Sequence, residues 1–139
     1  MGDRESLVAK IEKQRASSPD SELVVSLEDF FDGNDDLGSI GSNLGDERPS
    51  IAEFYQVLKA IRSRSDVQDV LVRIYDYDDP ESWPYTDTVY VITSAATEQV
   101  EEWVMALKPD EIYSEWMYGK PAAAPEPMHG MVPYSLWWD

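Results

Sequence analysis

Residues 50–75 read SIAEFYQVLKAIRSRSDVQDVLVRIY, and this stretch decides the fold because its hydrophobic period changes partway along. Ser50 with Glu53 three places later is the pair that closes two free amides at a helix start. Ile51, Phe54, Leu58 and Ile61 then recur at helical spacing, with Val57 beside them. From Asp66 the period falls to two, so that Val70, Val72 and Ile74 share one side and Leu71, Arg73 and Tyr75 the other. A strand with apolar residues on both sides is expected inside a sheet, and a helix running into it is expected to cover that sheet.

On the N-terminal side, residues 4–16 read as a helix with Leu7, Val8 and Ile11 on one face, stopped by the Ser17 to Asp20 turn. Leu23, Val25 and Leu27 alternate with Val24, Ser26 and Glu28, the pattern of a strand. Phe30 and Phe31 follow, and a long Gly- and Asp-rich loop occupies 32–49. On the C-terminal side, an acidic connection with Pro80 and Pro84 leads to a strand at 88–93. A helix over 95–107, with Ala96, Val100, Trp103, Val104 and Leu107 as its face, is ended by Pro109. Residues 111–117 read as a fourth strand.

After the first helix the order is strand, helix, strand, strand, helix, strand, which is the split βαβ order of a ferredoxin-like α+β domain. The expected organisation is one domain over 1–139. It has a helix and turn at 1–21, a core at 22–118, and a Pro/Ala spacer with an aromatic terminal segment at 119–139. The spacer is expected to be extended and semi-rigid. Tyr134, Leu136, Trp137 and Trp138 are too apolar to sit free, so the terminus is expected to fold back as an edge strand or to serve as a homodimer contact.

Charge narrows the function. The 139 residues carry 28 Asp plus Glu against 11 Lys plus Arg, a formal net charge of −17. A small soluble domain is well served by a net charge of roughly 2–8 in magnitude. This surface repels phosphate backbones and anionic headgroups, so neither nucleic acid nor a membrane is an expected partner. Aromatic residues reach 12%, which a disordered acidic segment would lack. With no Cys and one His, thiolate chemistry, a Ser-His-Asp triad on a rigid element and a zinc site all lose their parts. No apolar run approaches a membrane span, and the start has no signal-peptide core, so the cytoplasm is the expected location. No cofactor is expected.

Three stretches could carry function. Asp32, Asn34 and Asp36 occupy the first ligand places of a calcium loop, but Leu37 stands where the turn needs glycine and Asn43 where the bidentate Glu belongs. They are weak cation ligands at most, and a solvated turn is the expectation. Residues 38–45 are rich in Gly and Ser but lack the Lys-Ser or Lys-Thr of a phosphate loop, and carboxylates surround them. The 76–85 stretch interleaves Asp76, Asp78, Asp79 and Glu81 with Tyr77, Trp83 and Tyr85. Charges that steer encounter beside aromatic anchors are what a surface for a basic protein contains. His129, between Met128 and Gly130, reads as a solvated residue.

The expected function is therefore non-enzymatic capture of a basic protein through Asp35, Asp36, Asp76, Tyr77, Asp78, Asp79, Glu81 and Trp83. In size, charge and lack of Cys the chain resembles bacterial immunity proteins, which neutralise basic toxins, though it shares no motif with them. The alternative is a small enzyme or ligand-binding domain. It would use Asp and Glu as general acids or bases in a cleft beside the 32–49 loop, assisted by Tyr75, Tyr77, Tyr85 or Tyr90.

Overall fold

The computed structural model describes residues 3–139, and the chain is an α+β protein built on one five-stranded antiparallel sheet. Helix α1 (Asp3–Ser17) precedes strand β1 (Leu23–Ser26) and the short helix α2 (Leu27–Phe31). Helix α3 (Ile51–Arg62) leads into β2 (Val67–Ile74), followed by β3 (Thr88–Thr93) and helix α4 (Thr97–Val104). Strands β4 (Glu111–Tyr113) and β5 (Val132–Trp137) complete the sheet. Side-chain caps set the helix starts. Ser50 Oγ accepts from the Glu53 amide at 3.0 Å, and Ser26 Oγ from the Asp29 amide at 3.1 Å. The second cap turns the chain out of the expected strand after Ser26, two residues earlier than alternation alone indicates.

In space the strands run β1-β2-β3-β5-β4, every neighbour antiparallel. The ferredoxin-like order is not confirmed. A split βαβ unit separates its first two strands by another, whereas here Ser26 of β1 lies opposite Leu71 of β2 and Leu23 opposite Ile74. The connection explains the difference. It holds two helices, α2 and α3, with a traverse between them, and so returns the chain to the end of the sheet at which β1 stopped.

The terminal strand is also placed differently from expectation. β5 lies inside the sheet, pairing with β3 from Thr88↔Trp137 to Thr93↔Val132 and with β4 on its other side. Tyr134, Leu136 and Trp138 are buried, so of the residues nominated for a homodimer contact only Trp137 is left half-exposed. The 22–118 span thus lacks one interior strand of its own sheet.

Alternation divides the sheet into two faces. Val25, Val70, Val72, Val89, Val91 and Leu136 meet the helices in the main core, where Leu7, Phe30, Phe54, Leu58 and Val100 are buried. Ala95, not Ala96, supplies the buried alanine before α4. The opposite face holds a smaller cluster of Val24, Leu71 and Tyr90, roofed by Ala124 and Trp116. Ala124 belongs to the Pro/Ala stretch, which is a strap across the sheet and not a free spacer. Ser21 Oγ accepts from the Ala122 amide at 2.7 Å. The Gln68 side chain donates to Glu126 O at 2.9 Å and accepts from the Met128 amide at 2.7 Å.

α2 and α3 are joined at the surface by Glu28 and Arg62, whose guanidinium donates to both carboxylate oxygens. That hydrogen bonding lowers the Glu28 pKa from 4.5 to about 2. A depressed carboxylate stabilises the fold fully above its unfolded pKa and loses that contribution as pH falls through the folded one. With Glu28 46% exposed, the pair contributes about 0.5–1 kcal/mol. Urea unfolding of Glu28→Gln should show that deficit at pH 7, and wild type should converge on the variant progressively as pH falls from 4.5 to about 2. A deficit that stays the same from pH 7 to pH 2 would disprove the assignment.

Candidate functional site

The acidic residues singled out in the sequence meet at one end of the sheet. The β2–β3 connection leaves as a narrow hairpin, with the Tyr75 amide donating to Tyr85 O at 2.8 Å and the Tyr85 amide to Asp76 O at 2.7 Å. The 32–49 segment lies against it. The Thr86 amide donates to Ser39 O at 2.9 Å, Ile40 bridges to Thr86, and Ser42 Oγ and Tyr85 Oη are 3.0 Å apart. Gly41 makes this approach possible. Its φ is 64°, and a Cβ there would come within 2.9 Å of the Phe54 ring.

The carboxylates fall into two sets. Asp36 accepts from the Gly38 amide at 2.9 Å with one oxygen and from the Trp83 amide at 3.0 Å with the other, tying the two segments together. Asp76 accepts from the Asp78 amide at 2.9 Å. Asp79 accepts from the Glu81 amide at 2.9 Å and from Ser82 Oγ at 3.0 Å, and these bonds lower its pKa. Short Asp side chains that cap the amide two residues on are turn-formers, which is why the loops are built of them. Asp35, Asp78 and Glu81 are exposed, and their carboxylates accept no hydrogen bond from the described residues. Among the described residues no ion pair involves any of these six acids.

α1 clamps the hairpin from outside. Arg4 donates to Ser82 O at 2.6 Å and Asp79 O at 2.7 Å, and Arg15 donates to Tyr77 Oη at 2.6 Å with its guanidinium 5.8 Å from the ring centroid. Trp83 lies at the centre, 9% exposed, and its Nε1–H has no hydrogen-bond partner among the described residues. An orphaned buried donor costs about 1–3 kcal/mol.

Two cavities flank Trp83. One of about 310 Å³ is walled by Tyr77, Tyr85 and Trp83 with Asp36, Asp76 and Asp78 at its edges. The other, of about 650 Å³, lies towards Asp35 and Glu81. All eight nominated residues line one or both of them. The weak cation ligands do not converge. Asn34 is buried, donating to Ser39 Oγ at 3.0 Å and accepting from the Asp36 amide at 2.9 Å, and Asp36 is occupied as described. Asp32 is exposed, and among the described residues no three His, Cys, Asp or Glu side chains group as a metal site. Burial raises the Asp69 pKa, but Asp69 faces Arg62 and Glu28 from β2 and lines none of these cavities.

Sequence reasoning passed over a second polar constellation. Arg73, 8% exposed, donates to Glu22 at 3.0 Å and to Asp87 at 2.9 Å, and its guanidinium lies 3.7 Å from the Tyr118 ring centroid. Beside it Tyr90 is fully buried, 4.9 Å from the Trp116 ring, with an unpaired hydroxyl whose pKa burial raises. The signal was an arginine inside the otherwise apolar run 70–74.

A family model described as "Uncharacterized protein YfbO family" matches residues 2–136. A relative in Escherichia coli strain K12, described as "Uncharacterized protein YfbO", is 41% identical over 117 residues, covering 84% of this chain and 82% of the relative. No solved structure matches the chain. No helix among the described residues is long and apolar enough to cross a membrane.

Proposed function

The chain belongs to the YfbO family, and for it we propose non-enzymatic capture of a basic protein in the cytoplasm, of the kind by which an immunity protein blocks a basic toxin. The observation that carries this reading is the division of labour among the acids. Asp36, Asp76 and Asp79 fasten the loops, which leaves Asp35, Asp78 and Glu81 as charges on a rigid frame around Tyr77, Trp83 and Tyr85. Fixed charges beside aromatic anchors accelerate encounter and hold the partner once water is excluded.

The three unspent acids can be neutralised without touching a loop bond. An Asp35→Asn, Asp78→Asn, Glu81→Gln variant should keep the wild-type melting temperature. Immobilised, it should no longer retain a basic protein that wild type holds at about 50 mM salt and releases at about 300 mM. The control is Glu98→Gln, Glu101→Gln, Glu102→Gln, which removes the same charge from exposed positions on α4. It should retain the partner. Equal losses in both variants would show that net charge alone acts, and equal retention that the acidic end is not the site.

A further inference from the structure

We infer that the acidic end takes an extended, arginine-bearing peptide segment of its partner, which runs along the 75–83 loop across a row of adjacent cavities. This rests on the capture reading above and specifies the partner's chemistry. The two cavities beside Trp83 share Asp36, Ser82 and Trp83 as a common wall. A third, of about 250 Å³ beside Glu22 and Arg73, shares Asp76, Tyr77 and Asp78 with the middle one. An extended strand, with a side chain about every 3.3 Å, can place successive side chains in such a row of hollows.

The donors and acceptors of the track select the ligand. Carboxylates that pair with no cation among the described residues call for positive side chains. The Tyr77, Trp83 and Tyr85 walls of the middle cavity favour a flat guanidinium, which stacks on aromatic faces, over a compact ammonium. Arg15, which lines the third cavity, already shows the pose, over Tyr77 and donating to its hydroxyl. Trp83 makes the opposite demand. The residue lines both cavities beside it, its buried Nε1–H lacks an acceptor among the described residues, and a cationic side chain has none to give. A peptide supplies both, cations from its side chains and a carbonyl from every residue. A polyamine or a metal ion answers the carboxylates alone.

The test titrates the full-length protein with an acetylated, amidated Arg-Gly-Arg-Gly-Arg peptide and, separately, with spermine, following the tryptophan indole N–H signals. Trp83→Phe assigns the relevant one. The peptide should move the Trp83 indole signal downfield and bind about tenfold more tightly than spermine, the difference expected of one added hydrogen bond. Asp78→Asn with Glu81→Gln should weaken the peptide. Equal binding of spermine and peptide, or an unmoved Trp83 indole, overturns the inference. If that happens while the neutralised triple variant still loses its basic protein, capture stands and only the extended-peptide geometry falls. Loss of neither ligand in the variants removes both.

Discussion

Deleting residues 132–139 should abolish cooperative folding, so that the truncated chain shows no sigmoidal thermal or urea transition by circular dichroism. β5 is an interior strand, paired with β3 along its whole length and, among the described residues, forming the only partner of β4 in the sheet. Its removal opens the β3 edge and leaves a three-residue strand with nothing to pair. It also empties the core. Trp138 is 1% exposed, packs edge-on against Phe54 at 5.8 Å and donates to Leu107 O at 2.9 Å. The buried Tyr134 hydroxyl donates to Ala95 O at 2.9 Å. At about 25 cal/mol per Å², burying these two aromatics and Leu136 contributes about 10 kcal/mol as an upper bound. A domain of this size has about 5–15 kcal/mol in all. A truncated chain that melts within about 5 °C of wild type would show that the strand is dispensable.

What could be read from the sequence was what is local. The Ser50 cap and the change of period between α3 and β2 need no distant residue, and both elements formed where their residues indicate. α2 was hidden because Leu27 and Glu28 continue the alternation of β1. The cue against it was Ser26 with an acidic residue three places on. Strand order is a matter of distant pairing, and nothing in 132–137 distinguishes a strand at the edge from one between two others. The strap escaped because proline, alanine and glycine carry no period; two side chains far away, Ser21 and Gln68, define its path. At the acidic end, composition located the loops, but only geometry could sort the acids that fasten backbone from those left for a partner.

The Arg73 constellation carries the second large effect. Arg73→Met should destabilise the protein by about 3–5 kcal/mol, because it removes the cation from between two carboxylates. The Asp87 side chain is 13% exposed and that of Glu22 31%, so Asp87 suffers more from the loss. A methionine keeps most of the apolar volume under Tyr118, so the deficit measures unpaired charge more than a cavity. Relief should therefore come from deleting the charge left behind. Asp87→Asn alone is destabilising, since it weakens a short bond to Arg73, yet in the Arg73→Met background it should restore about 1–2 kcal/mol. The amide keeps an oxygen to accept from Thr88 Oγ1, which now bonds the carboxylate at 2.9 Å, so the local turn survives the exchange. Urea unfolding of the two single variants and the double variant closes the cycle. If the double variant is no more stable than Arg73→Met, charge pairing is not what holds this face. Arginine would then act through its stacking on Tyr118, and Tyr118→Leu should reproduce most of the loss.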